Sequence, residues 1–328
     1  MKNYRKRITK GILGTLVILT LSGCAANYNE QELLQGVGAS KDVEILTAEE
    51  EAARAEEEAK AAEEKREKEN DSEKEELSIF EEKAKLKEAC EEASAALKKI
   101  AEKHDSAGDF AVFSYNLKTN IFGSYNNHKM QAASLIKVFI AGAVYENWES
   151  LIDQGSEEGE LESLLKSMIT VSDNHAANTL ISKLGHGDDS DGMKVVNAYC
   201  KDHGYKNTHL GRLLLASNDQ DDNYTSVRDC AKFLRECYHK KLEGAEAILN
   251  LMKEQERTGK IPAGVPDYID TANKTGELSD VENDIAIVWG DEPYILCVMT
   301  ENISGSGNAI DGIIDISSEV YDLWESEL

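Results

Sequence analysis

DIAIVWGDEPYILCVMT, residues 284–300, reads as two strands folded back on each other around a Gly290-Asp291-Glu292-Pro293 turn. Both arms are crowded with β-branched and aromatic residues, and the break between them holds two strong turn formers. Working backwards, YIDTANKTG (268–276) is a candidate third strand just before them. Near residue 110 a second strand pair is expected, DFAVFSYNL (109–117) and IFGSYN (121–126), joined by a short KTN turn. Helical periodicity dominates between these two groups. A helix also leads in, with Leu86, Cys90, Ala93, Leu97 and Ile100 or Ala101 at helical spacing, and another closes the chain, with Ile310, Ile313, Ile314, Ser317, Val320, Tyr321 and Trp324 on one side. Strands at both ends and helices in the middle imply one discontinuous α/β domain over residues 82–328, with an all-helical insertion whose seam is a natural cleft. About 245 residues suffice for such a core.

The first 23 residues have a different character. Lys2, Arg5, Lys6, Arg7 and Lys10 precede a short apolar run from Gly11 to Leu21, the pattern of a secretion signal. Leu21-Ser22-Gly23-Cys24 resembles the lipobox of bacterial lipoproteins, which implies lipidation of Cys24 and a mature protein held by acyl chains on the extracytoplasmic face of the bacterial cell membrane. Residues 24–81 then form an acidic spacer rich in Ala, Glu and Lys. Its core, residues 47–76, contains no large apolar residue, while Glu50 with Arg54, Glu56 with Lys60 and Glu64 with Lys68 stand at the spacing that supports an exposed helix. A polar helix and a charged extended tether are both open, and a coiled coil is disfavoured because Ala and Glu would have to fill its seam.

Apart from Cys24 there are five cysteines, Cys90, Cys200, Cys230, Cys237 and Cys297, an odd number without a close C-x-x-C pair. That argues against a disulfide framework and against a zinc site. The formal net charge of −26 excludes nucleic acid as a natural ligand.

Chemistry is carried by three short elements. Ser134-Leu135-Ile136-Lys137, Ser172-Asp173-Asn174 and Lys274-Thr275-Gly276 occur in the order used by serine β-lactamases of class A and by penicillin-binding proteins. Each is weak alone. Their surroundings, ITVSDNHAANTLI, RTGKIPAGVPDYIDTANKTGEL and NDIAIVWGDEPYILCVMT, resemble the corresponding segments of class A β-lactamases, and the resemblance extends over residues 85–328. It implies an antiparallel sheet flanked by helices with an all-helical lobe. It also selects Ser134 over a second serine-lysine match, Ser163 with Lys166, which lies too close to Ser172 and is expected to be a helix surface pair.

Elementary chemistry supports the same assignment. Ser134 at a helix N-terminus feels the positive end of the macrodipole, and Lys137 stands one turn on, about 5–6 Å away at Cβ. Hemmed by Leu135, Ile136, Val138, Phe139 and a second amine, Lys274, the Lys137 ammonium is expected to lose its proton readily and to act as base. The resemblance implies the remaining roles. Ser172 passes a proton to the leaving nitrogen, Asn174 binds the substrate amide, and Lys274, Thr275 and Gly276 line the side that receives the substrate carboxylate. The backbone N–H groups of Ser134 and Glu277 form the oxyanion hole. Asp173 is structural, and no cofactor or metal is required.

Three departures qualify the likeness. The loop HLGRLLLASNDQDDNYTSVRDCAKF (209–233) contains no Glu, the residue with which class A β-lactamases activate the water that clears the acyl-enzyme. Aligning Arg212 and Asn218 with that loop puts Leu214 in its place. Asp219, Asp221 or Asp222 would have to substitute from displaced positions, and solvent-exposed acids are the plainer expectation. An EF-hand calcium loop is excluded, because Tyr224 and Cys230 stand where it needs Gly and Glu. Only 37 residues separate Ser134 from Ser172, so the cleft is expected to be more open. No Lys or Arg follows Lys274, so the arginine that grips the substrate carboxylate from the next strand is missing; Lys260 is a replacement, or else a solvated surface lysine.

The expectation is therefore a membrane-tethered serine acyl-transfer enzyme acting on β-lactams or on D-alanyl stem peptides of peptidoglycan, competent in acylation and slow in deacylation. A true β-lactamase with a relocated base and a non-catalytic cell-wall-binding lipoprotein are the alternatives.

Overall fold

The computed structural model describes residues 47–326, in two compact units, one up to Asp71 and one from Ser72. The basic head, the apolar run and Cys24 lie outside the described residues. Among those described, no helix is long and apolar enough to cross a membrane.

Helix α1 runs from Ala48 to Ala101, so of the two conformations open for the spacer its described part takes the helical one, and the expected domain start at residue 82 falls inside a continuous helix. Its beginning is fixed by a reciprocal cap: Thr47 Oγ1 donates to Glu50 Oε2 at 2.9 Å, and the Glu50 N–H donates back to Thr47 Oγ1 at 3.4 Å. Glu56 pairs with Lys60 at 3.3 Å and Arg54 with Glu58 at 3.4 Å, exposed contacts that contribute about 0.3–0.5 kcal/mol each. Apolar packing begins further on. Ala93, Leu97, Ile100 and Ala101 are buried, while Leu86 remains exposed.

The second unit is built on a five-stranded antiparallel sheet. Its strands are β1 (Asp109–Asn116), β2 (Phe122–Tyr125), and, after a two-stranded ribbon of β3 (Met130–Gln131) and β4 (Tyr224–Thr225), β5 (Asp270–Leu278), β6 (Val281–Trp289) and β7 (Tyr294–Glu301). The spatial order is β2-β1-β7-β6-β5, which brings the strands near residue 110 and those of residues 270–301 into one sheet, as the sequence predicts. Between β3 and β4 run α2 (Ile136–Glu146), α3 (Trp148–Asp153), α4 (Glu158–Thr170), α5 (Asn174–Leu184) and α6 (Asp189–Asp202), and between β4 and β5 run α7 (Val227–Tyr238) and α8 (Ala245–Lys253). The last helix, α9, spans Ser306–Glu325.

Alternation along the strands divides the core in two. Ala111, Phe113, Tyr115, Ile285, Ile287, Ile295, Cys297 and Met299 face the helical lobe. Their neighbours Phe110, Val112, Ala286, Val288, Leu296 and Val298 face the end of α1 and the α9 residues Ile313, Ile316, Val320 and Trp324. Both faces are covered, which is why residues 284–300 read as a continuous apolar run instead of an alternating one. Each large aliphatic or aromatic side chain fully buried there contributes about 1.5–3 kcal/mol.

At the edge, β5 pairs only with β6. Its other side meets a 3-10 turn, Ala133–Leu135, that leads into α2. Gly276 permits this approach: a Cβ there would stand 2.8 Å from the Ala132 carbonyl oxygen and 3.2 Å from the Leu135 nitrogen. Asn283 of β6 ties the same segment down, donating from Nδ2 to the Gln131 carbonyl at 3.0 Å while its Oδ1 accepts the Thr300 N–H at 2.9 Å.

Candidate active site

Helix α2 is apolar almost all round, and every residue from Ile136 to Val144 is buried. Such a helix belongs in the centre of a lobe. Its one lysine, Lys137, is fully buried with it. The Lys137 Nζ lies 2.9 Å from Ser134 Oγ, 2.6 Å from the Ser172 carbonyl oxygen, 3.1 Å from Ser172 Oγ and 2.7 Å from Asn174 Oδ1. Two of these partners, the carbonyl oxygens of Ser172 and Asn174, accept only. They claim two amine protons, so once the third is lost the free lone pair is available to the Ser134 hydroxyl, which then donates to it. Burial lowers the Lys137 pKa to about 7; Asp173 opposes the shift and Arg257 adds to it. A neutral amine near neutral pH, aimed at a hydroxyl, is a general base in position.

The Ser172 hydroxyl bridges the two amines, lying 3.1 Å from Lys137 Nζ and 2.9 Å from Lys274 Nζ. Lys274 is fully buried on β5 and also donates to the Thr275 carbonyl oxygen at 2.8 Å. Burial first, and then the charge of Lys137, push its pKa well below the ordinary lysine value, against the pull of Asp284. One hydroxyl thus links the two amines by hydrogen bonds. Asp173 does what a structural residue should, capping α5 by accepting the Ala176 N–H at 2.6 Å.

Left-handed backbone marks both serine elements: Ala133, immediately before Ser134, has φ 47° and Ser172 has φ 63°, while Leu215, exposed in the loop after Leu214, has φ 68°. Residues with a Cβ hold such angles at a cost of about 1–3 kcal/mol each, and they persist where the surroundings over-determine them.

In front of these groups lies a small cavity of about 120 Å³ lined by Ser134, Ser172, Asn174, Thr275, Glu277 and Arg257. Five of the six are residues the sequence singles out. Arg257 is the one it misses, although the lack of any cation after Lys274 already pointed to the segment before β5. Its Nη1 lies 2.8 Å from Glu277 Oε2. Lys260 is not the solvated surface lysine of the plainer expectation: it is 3% exposed, 2.7 Å from Glu282 Oε2 and 3.2 Å from Glu277 Oε1. An ammonium so desolvated needs those carboxylates. It backs the site by fixing Glu277, while Arg257 faces the cavity.

The loop acids are accounted for elsewhere. Asp222 is buried, holding Arg212 Nε at 2.6 Å and Gln131 Nε2 at 2.7 Å. Asp221 accepts from or pairs with His209 Nε2 at 2.7 Å, and that hydrogen bond keeps its carboxyl below the usual range. Asp219 is exposed. None of the three lines the cavity. Leu214, by contrast, is buried and held through its backbone, its N–H donating to Asn178 Oδ1 at 2.9 Å and its carbonyl accepting from Asn178 Nδ2 at 3.0 Å. Asn178 is on α5, one turn beyond Asn174. The other serine-lysine match is a surface feature, with Ser163 exposed and Lys166 paired to Glu254 at 2.7 Å.

Of the five cysteines, four are buried and one half-buried, all of them free; burial pushes the Cys200 and Cys230 thiols up to about 12 and raises those of Cys237 and Cys297 as well. No cluster of His, Cys, Asp or Glu suited to a metal ion occurs among the described residues.

A serine, a buried lysine, a second serine and a second lysine, gathered where the edge of an antiparallel sheet meets an all-helical lobe, define a serine hydrolase of the β-lactamase and penicillin-binding type. Residues 152–324 match the model of the β-lactamase enzyme family, and the chain belongs to that family. The matched span takes in the Ser172 and Lys274 elements and begins after Ser134. Solved structures with this fold include a β-lactamase from Sphaerobacter thermophilus, 19% identical with a TM-score of 0.62 over 71% of this chain and 98% of that one. PBP-A is 21% identical with a TM-score of 0.63, covering 71% and 97%. A leucine-to-glutamate variant of PBP-A, determined as an acyl-enzyme complex with penicillin G, is 22% identical with a TM-score of 0.61 over the same shares. No curated protein matches the sequence.

Proposed function

We propose that Ser134 forms a covalent acyl-enzyme with β-lactams and with D-alanyl stem peptides, and that the acyl-enzyme is hydrolysed slowly. The observation that carries this reading is the Lys137 amine, poised near neutrality and 2.9 Å from the Ser134 hydroxyl. Neutral Lys137 takes the Ser134 proton as Oγ attacks the carbonyl carbon, and the backbone N–H groups of Ser134 and Glu277 receive the developing oxyanion. The C–N bond then breaks, and Ser172, resupplied by Lys274 or Lys137, protonates the leaving nitrogen. Asn174 binds the acyl amide. Lys274, Thr275 and Gly276 line the carboxylate side, where Arg257 supplies the exposed cation that the strand after Lys274 lacks.

Slow hydrolysis follows from the loop. The acids nearest to the place of the missing Glu are engaged with His209, Arg212 and Gln131 or turned to solvent, and Leu214 offers no base. This favours a penicillin-binding protein over a β-lactamase with a relocated base. The reading extends to location, with lipid on Cys24 holding the domain on the outer face of the cell membrane.

Intact-protein mass spectrometry after mixing with benzylpenicillin tests the proposal. A persistent single adduct is expected; none, with no hydrolysis, would overturn it. The acylation rate, followed from about pH 5 to 9, is expected to climb as Lys137 loses its proton and to level above about pH 7. Arg257→Ala removes a cation that disfavours the charged amine, so the Lys137 pKa rises and the limb moves to higher pH.

A further inference from the structure

Away from Ser134 lies a larger cavity of about 560 Å³, under α7 and against the β1–β2 edge of the sheet, and it shares no lining residue with the candidate active site. Its floor is aromatic: Phe113 and Tyr115 of β1 and Phe122 of β2, with the Phe113 and Phe122 rings stacked at 5.7 Å. Its walls are basic, with Arg228, Lys232 and Arg235 on α7 and Lys206 on the preceding loop. Arg228, Lys232 and Arg235 stand four and three residues apart, the spacing that puts all three on one face of a helix. In a chain with 62 acidic residues against 36 basic, four cations around one hollow run against the composition.

Lys232 lies 2.8 Å from Glu236 Oε1, and its ammonium also lies over the Tyr205 ring. Asp229, the one acid in the wall, is occupied by the Asn207 N–H at 2.7 Å and Thr208 Oγ1 at 3.0 Å. Lys206, Arg228 and Arg235 have no ion pair among the described residues. Arg235 instead has its guanidinium over the Tyr115 ring, 5.1 Å from its centre, and a guanidinium held against an aromatic face can still present N–H groups to a planar or tetrahedral anion.

We infer that this cavity binds a small phosphate ester, its phosphate held by Arg228, Arg235 and Lys206 and its organic body lying on Phe113 and Phe122. A phosphate monoester carries about −1.5 to −2 near pH 7 and three acceptor oxygens, enough to engage several cations at once, whereas a carboxylate brings a single charge. The volume falls within the range of about 300–1,000 Å³ usual for small-molecule sites. The inference is independent of the acyl-transfer reading.

Isothermal titration of the full chain at low salt with phenyl phosphate, inorganic phosphate and benzoate tests it. Phenyl phosphate is expected to saturate with a Kd below about 1 mM, and inorganic phosphate and benzoate to bind about tenfold more weakly. In the Arg228→Gln/Arg235→Gln variant the phenyl phosphate affinity is expected to fall at least about tenfold. Circular dichroism and the thermal midpoint establish that this variant is folded, and Lys206→Gln serves as a milder second variant. No saturation up to about 10 mM, equal affinity for benzoate, or binding that both variants leave unchanged would overturn the inference.

Discussion

Ser134→Ala is expected to show no covalent adduct with benzylpenicillin at any time, while Ser172→Ala still forms one, about 10–100-fold more slowly. The contrast matters because both hydroxyls lie within hydrogen-bond distance of the same amine, at 2.9 and 3.1 Å. The two hydroxyls differ in their second neighbour. Lys274 Nζ lies 2.9 Å from Ser172 Oγ, which therefore sits between two amines, whereas Ser134 Oγ has Lys137 alone. Removing the base itself, in Lys137→Met, is expected to slow acylation by about 10²–10⁴-fold without abolishing it, since the hydroxyl and the oxyanion donors remain. That variant also leaves the Ser172 and Asn174 carbonyl oxygens without their donor, at about 1–3 kcal/mol each, so its thermal midpoint must be measured beside the rate. Stopped-flow acylation and mass spectrometry on the three variants decide the matter. An adduct on Ser134→Ala would move the nucleophile to Ser172.

Much of this was legible in the sequence because the informative residues are the ones whose chemistry conflicts with their surroundings. A lysine inside Leu-Ile-Lys-Val-Phe has to be buried if the helix is, and a buried lysine needs acceptors; the structure supplies four. The apolar run at 284–300 likewise had to be a pair of central strands, covered on both faces. What was hidden depended on tertiary context. Lys260 reads as an ordinary loop cation until Glu277 and Glu282, brought beside it by the β5–β6 pairing of those two residues, make it a buried one. Arg257 carries no local signal at all: nothing in Glu-Arg-Thr-Gly says that the guanidinium turns back to the serine. The strained angles at Ala133, Ser172 and Leu215 were invisible for the same reason, since no glycine announced them.

The second large effect is expected at Leu214. Replacing it with Glu should shorten the lifetime of the penicilloyl adduct by about 100-fold, as a general base for water is typically worth 10²–10⁴. Two features make the position suitable. Its backbone is clamped in both directions by Asn178, so a new side chain starts from a fixed point on the face of α5 that also carries Asn174. Its surroundings are apolar, with Leu214 itself 7% exposed, so burial will hold the new carboxyl above the ordinary glutamate range. Deacylation should accordingly rise with pH through that elevated pKa, as the carboxylate form accumulates, and not through the usual glutamate value. The cost is stability, since an apolar contact is lost and a charge is introduced where water is scarce; Leu214→Gln makes the same steric change without the base and sets the baseline. Asp219→Asn and Asp221→Asn should leave the adduct lifetime at the wild-type value, and Asp222→Asn should loosen the loop by releasing Arg212 without changing the chemistry. If Leu214→Glu folds, acylates and keeps the wild-type lifetime, the missing base is not what holds the acyl-enzyme. The limit would then lie in how water reaches the ester.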